Sequence, residues 1–430
     1  MGTLKGPPTG EKRMSRSMVV PVCALLAIGA SLTCSPFDSG DTGSPGPDAG
    51  PVWTTGDGTD GGTADAGGQT PDAGTPPDSG VSGGGGGGGG AGGGGGTGGG
   101  GGGGPPAACD GVVPAANPPR QSATVPHSFG QVCWFFSSDE QGNVAAESHS
   151  GDDFSNVQWN FFAPGGGSPT GTARAGVDLF GEPNGFEGSH REAGSIFFMH
   201  WSGTGTELSR TLLGGAGCNG ETFPSLQKGA LVLGGCNGGA LNATIFDADG
   251  RLLVTRAVAN QLVNAVGAVD ANGRVIVVVW PGSAIGLGGA AVARWFDASL
   301  NATTDWFQLP GDGQRPLVRP LIGGGVAVQS GGSWVAAVGS GQAAFGDAPA
   351  WLASHPQHDF MIVRQGRAYA LIPKFGTSDP RNVLLLYDPA GNSCGAGTFP
   401  GGNALSVGHD GTVIDAKSDC TIAWWSGVLR

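Results

Sequence analysis

Charge is scarce in this chain: 21 Lys+Arg and 34 Asp+Glu in 430 residues, or 13%, against roughly a quarter in an average soluble domain. Beyond Arg16 there is no run of Lys and Arg, and the formal net charge is −13. Nucleic acid and anionic lipid both demand concentrated positive charge, so neither is expected as a partner. Also missing is an apolar run of the ~20 residues that a membrane-spanning helix needs. A convincing 3.6-residue period is absent too, with only Arg256–Val269 ambiguous, which argues against a helical body. There is no Gly-x-Ser-x-Gly, no Walker lysine motif and no His-Glu-x-x-His. The Cys-x-x-Cys spacing of a zinc site is lacking. No cofactor or metal is therefore implied, and no catalytic signature stands out.

Glycine (87) and proline (30) are plentiful instead. Much of the glycine lies in a near-pure tract, Gly83–Gly104, broken only by Ala91 and Thr97. It closes a low-complexity run, 35–106, that carries eight aspartates and no base. Such a run has almost nothing to bury and cannot recover the entropy that folding removes, so it is expected to be a disordered tether. As a flexible coil it would reach about 45 Å. Its Pro47-Asp48, Pro71-Asp72 and Pro77-Asp78 steps would keep it soluble. The chain thus divides into 1–33, 34–108 and 109–430.

Lys5, Lys12, Arg13 and Arg16 precede an apolar stretch of about fifteen residues, Met18–Leu32, in the manner of a secretory signal; Met14 or Met18 would serve equally as the start. A permanent transmembrane anchor is the alternative. Ser31-Leu32-Thr33-Cys34, directly after this stretch, resembles the lipobox of bacterial lipoproteins. That resemblance implies lipid attachment at Cys34 and a membrane partner reached through the acyl chains. Ser35, not aspartate, follows the cysteine, which in that family implies the outer membrane or the cell surface. Cleavage after Ala30, giving a secreted and non-lipidated protein, remains the competing outcome. Cysteine parity separates the two. Lipidation would discard Cys23, occupy Cys34 and leave six cysteines, whereas cleavage after Ala30 would leave seven and strand one thiol.

From Phe129 onward, short β-branched and aromatic runs alternate with turn chemistry, as in Ala265–Val269, Asp270-Ala-Asn-Gly273 and Val275–Trp280. Runs of this kind read as strands, and the Asp-x-x-Gly segments at 139, 247, 270 and 388 as hairpin turns. Two hairpins per ~45–50 residues matches one four-stranded propeller blade, so 109–430 makes about seven units. The region resembles divergent β-propellers, and an all-β propeller of six to eight blades is expected. A β-sandwich pair is the alternative fold.

Six cysteines fall in this region, and nearest-neighbour bridges Cys109–Cys133, Cys218–Cys236 and Cys394–Cys420 are the simplest of fifteen pairings. A bridge joining the two ends of the ring is the variant. The candidate binding rim is the charged stretch 182–192, with Glu182, Glu187 and His190, read as a loop, together with His358 and Asp359 in a solvated segment beginning at His355. Metal ligation by His355 and His358 is the weaker reading, because a proline interrupts the pair. Asp247-Ala-Asp-Gly250 lacks the further ligands of a calcium loop and reads as a turn. The expected role is an envelope binding module for a protein or glycan. A propeller-type glycan hydrolase or lyase is the rival, and it would need carboxylates converging in one pocket.

Overall fold

A computed structural model describes residues 52–54 and 120–429, apart from 128–130, 134, 151–156, 177–178, 227–228, 281–289, 312–314, 338–341, 364–365, 375–381, 400–403, 418 and 427. The described residues belong to the unit Pro45–Arg430. Cys34, Cys109, the signal-like segment and most of the expected tether lie outside them.

Almost every described run of apolar residues forms an antiparallel strand, and the strands fall into seven sheets that follow one another along the chain. Strands are lettered A to D in the order in which they succeed one another within a blade. Blade 1 comprises Phe136–Ser138, Val144–Ser150, Val157–Phe162 and Gly171–Ala175, with Gln131–Val132 pairing alongside. Blade 2 is Phe180–Glu182, Gly185–Glu192, Ser195–Trp201 and Glu207–Gly214. Blade 3 is Cys218–Pro224, Ala230–Cys236, Leu241–Phe246 and Leu252–Ala259. Blade 4 is Ala265–Val269, Val275–Val279, Val292–Phe296 and Phe307–Gln308. Blade 5 is Leu317–Pro320, Val326–Ser330, Ser333–Ala337 and Gly346–Asp347. Blade 6 is His358–Val363, Ala368–Pro373, Val383–Tyr387 and Ser393–Thr398, with Val52–Thr54 added as a fifth strand on its edge.

Blade 7 has only three strands from the C-terminal end, Ala404–Val407, Val413–Ala416 and Thr421–Trp425. Its fourth comes from the other end of the ring: Arg120–Thr124 pairs with Thr421–Trp425, Arg120 opposite Trp425 and Thr124 opposite Thr421. The ring is closed by hydrogen bonds between its first and last strands. The chain is a seven-bladed β-propeller.

A blade in such a ring is covered on both faces, and the sequence shows this as continuous apolar strands. In Val275–Val279 all five residues are buried; Val275, Val277 and Val279 pack toward blade 3, whereas Ile276 and Val278 pack toward blade 5. Trp424 and Trp425 are fully buried in two different interfaces, the first against blade 1 and the second against blade 6. The core of the described residues is accordingly seven separate clusters, one at each junction between neighbouring blades.

Turns of one design recur at the ends of the sheets. The Asp139, Asp247, Asp270 and Asp297 Oδ1 atoms each accept from the amides two and four residues on, at 2.8 to 3.0 Å, and Asp388 accepts from Asn392. The fourth turn residue has positive φ, near +72° at Gly250 and Gly273, the region glycine enters without a Cβ penalty. At 300 a leucine takes that place with φ 60°.

The disulfides correct the nearest-neighbour pairing. Cys218–Cys236 is present, joining directly opposite residues of strands A and B in blade 3. Cys133, however, is bonded to Cys420, a residue 287 positions away. Ring closure puts the entry to blade 1 beside the last hairpin of blade 7, so proximity in space overrides proximity in sequence. Cys394 is disulfide-bonded as well, and to none of the other four described cysteines.

Candidate functional site

The two ends of the ring differ. On the end carrying the A–B turns, every blade is tied to the next by a polar link. The Glu140 amide donates to the Glu182 carbonyl, and the Gly229 amide to Glu182 Oε1 at 3.0 Å. Ser225 bridges to Val269, and the Gly325 amide donates to Asp270 Oδ2 at 3.1 Å. The Ile322 amide donates to the Tyr369 hydroxyl at 2.8 Å. His409 Nδ1 donates to the Ile362 carbonyl at 3.1 Å, and the Ser138 hydroxyl to Asp410 Oδ1 at 2.8 Å. Seven junctions are thus latched in sequence at this end. Six of the seven engage backbone groups that would otherwise lie unpaired in a desolvated ring, and the Ser138–Asp410 link joins two side chains.

Glu182 is therefore a latch, buried at the tip of blade 2, not a rim residue. Its neighbours correct the loop reading of 182–192: this stretch is an A–B hairpin turned by Pro183 and Asn184, and its strand residues up to His190 are buried. Glu187 is fully buried, directly opposite His200 on strand C, and neither of its oxygens nor His200 Nε2 has a hydrogen-bond partner among the described residues. Burial first, then the nearby Glu182, Asp247 and Asp249 charges, push the Glu187 carboxyl up to about 9; the Gly250 amide opposes this, though outside hydrogen-bond geometry. Burial likewise holds the His190 and His200 imidazoles below their ordinary range. His190 is 9% exposed.

His358 and Asp359 open strand A of blade 6. His358 is buried, edge-on to the His355 ring at 5.2 Å, which corrects the solvated-segment reading. The one-turn helix Ala350–Ala353 and strand A draw the pair into the junction with blade 5. Asp359 forms a bidentate ion pair with Arg319 of blade 5, Nε to Oδ1 at 3.0 Å and the terminal nitrogen to Oδ2 at 2.7 Å. The five candidates thus lie in two separate blades, and none of them lines either described cavity. No group of three metal-ligating side chains occurs among the described residues.

The first cavity, about 180 Å³, follows the axis of the ring. Strand A residues of blades 2 to 6 wall it, among them Phe180, Phe223, Val318, Phe360 and Ile362, and His409 of blade 7 lies at its latched end. The second, about 280 Å³, lies across blades 3 and 4 at the opposite end. Its lining comes from the start of strand A in blade 3 (Asn219, Glu221), from the connection into blade 4 (Asn264), and from Trp280 and Arg315. Strands A and B close tightly beneath it, since a Cβ at Gly234 would stand 2.3 Å from the Asn219 carbonyl oxygen. Sequence reasoning passed over this groove because its residues are scattered over nearly a hundred positions. The only local sign was the repeated Gly-Cys-Asn-Gly at 217 and 235.

No protein-family model matches the chain, and no curated protein matches it. Solved structures similar to it include BamB from Moraxella catarrhalis, 12% identical over 73% of this chain and 93% of that one, with a TM-score of 0.38. BBS1N in complex with ARL6DN is 12% identical over 74% and 94%, at 0.36. The Dos1 propeller is 8% identical over 68% and 77%, at 0.34. At this level of likeness nothing about their partners transfers to this chain.

Proposed function

We propose that this protein is an exported, lipid-anchored binding module of a bacterial envelope, held at Cys34 and joined to the propeller by the low-complexity segment that follows, of which Val52–Thr54 pairs with blade 6. One observation carries the export: all five described cysteines are disulfide-bonded, a state that persists in oxidising compartments and is rare in a reducing cytosol. With Cys34 acylated, the region beyond it holds an even set of six. The binding role is supported by the arrangement of the ring, latched at one end and carrying a polar groove at the other. The five titratable candidates lie in two separate blades and do not converge as glycosidase chemistry requires.

The test is incorporation of radiolabelled palmitate by the full chain and by Cys34→Ala, with membrane fractionation. Label and membrane association in the first and neither in the second is the expected result. Equal release of both as soluble protein would favour cleavage after Ala30 and remove the anchor.

A further inference from the structure

The groove across blades 3 and 4 has a composition that selects a ligand class. Its one strong charge pair is internal: the Arg315 guanidinium, from the connection into blade 5, is paired with Glu221 of blade 3. That link spans blade 4, and the guanidinium carbon lies 6.0 Å from the centre of the Trp280 ring beneath it. With both charges mutually engaged, the groove offers no net charge to attract an ionic ligand. Asn219 and Asn264 are exposed at its edge, and their side-chain amides have no hydrogen-bond partner among the described residues. Each can donate and accept at once. The Trp280 indole is half-buried and lines the groove at the same place, its uncovered part an apolar surface beside the Arg315 guanidinium.

Paired amides that both donate and accept, a self-neutralised ion pair and one indole plane fit a molecule with the same duality: hydroxyl groups around its edge and an apolar C–H face. We propose that this groove is a binding site for a neutral saccharide, seated on Trp280 and hydrogen-bonded by Asn219 and Asn264. The cavity, about 280 Å³, holds roughly nine waters' worth of liquid, space for one or two sugar rings. A purely apolar ligand would strand the two amides, and an anionic one would have to break the Arg315–Glu221 pair and approach an acidic protein. The proposal names the ligand of the binding module above but does not depend on the lipid anchor.

Isothermal titration of the full chain with cellobiose, maltose and chitobiose, and with glucose 6-phosphate as an anionic control, tests it. At least one neutral disaccharide should bind, with little or no binding of the phosphate ester. Trp280→Ala should weaken binding about tenfold, the equivalent of ~1.4 kcal/mol, and Trp280→Phe should retain most of it. Because Trp280 also packs against the core, the Asn264→Ala and Asn219→Ala variants, which remove exposed side chains and should melt as wild type does, should each weaken binding severalfold. Failure of all three disaccharides to bind, binding unchanged in the asparagine variants, or preference for the phosphate ester would each overturn the proposal. Palmitate incorporation is unaffected by any of these outcomes, so the anchor and the ligand stand or fall separately.

Discussion

Glu187 illustrates what the ring does to a single side chain. Between blades 2 and 3 it has lost its water without gaining a partner, so the protonated form is favoured in the folded state, with a pKa raised to about 9. In the unfolded chain it returns toward 4.5. The folded state therefore binds more protons across this window, so the penalty for keeping Glu187 buried is least below about pH 4.5 and grows as pH rises toward 9. Asp415, raised to about 7, and Asp139, raised to about 6, both mainly by burial, act with the same sign over lower windows. Thermal melts from pH 7 to pH 9, above the range in which the lowered His190 and His200 act with the opposite sign, should show a falling midpoint. Glu187→Gln should flatten that slope and raise the midpoint at pH 9 by several degrees, at roughly 2–4 °C per kcal/mol for a domain of this size. A wild-type midpoint that climbs with pH would contradict this placement.

The same residues mark where sequence reading stopped. Glu182, Glu187 and His190 look solvated because acids and histidines usually are. Only the packing of neighbouring blades, which no local pattern encodes, buries them. Trp424 and Trp425 were visible as a strand, yet nothing in the pair indicates that they enter different junctions.

At the scale of elements, turns and apolar runs carried most of the information. Asp139, Asp247, Asp270 and Asp388 begin hairpin turns as their Asp-x-x-Gly spacing predicts. The Asp297 turn, near the expected position at 300, departs from that spacing in having Leu300 where a glycine normally stands. The closing strand, Arg-Gln-Ser-Ala-Thr at 120–124, is polar and without alternation. It becomes a strand because blade 7 lacks a partner, not through its own propensity. The last strands of blades 2 and 3 are exposed for most of their length and bear Leu208, Leu212, Leu252 and Leu253, the markedly exposed large apolar side chains among the described residues. Apolar edge strands invite pairing with other chains. Leu212→Lys combined with Leu253→Lys should lower the self-association of concentrated protein in light scattering, with the melting midpoint within about 1 °C of wild type.

At the scale of the molecule, the blade number was readable from the turn spacing, and the ring-closing bridge was open as the variant to nearest-neighbour pairing. Spacing favours short loops, whereas the bridge that matters joins the two ends of the ring. In the chain-entropy account an 18-residue loop is worth about 3 kcal/mol and a 287-residue loop somewhat over 5. Cys420→Ser should therefore lower the denaturation midpoint more than Cys236→Ser does, and reducing agent should erase the difference. Removing Arg120–Thr124, by starting the chain at Val125, should abolish the cooperative melt, because blade 7 then loses its outer strand and its seal against blade 1.

The proposed export and the ring closure meet in one bond. Peptide mapping of the protein isolated from its own cells, digested without reductant, should recover the Cys133 peptide covalently joined to the Cys420 peptide, with Cys218 joined to Cys236. Cys133 joined instead to Cys109, or recovered as a free thiol, would contradict the account.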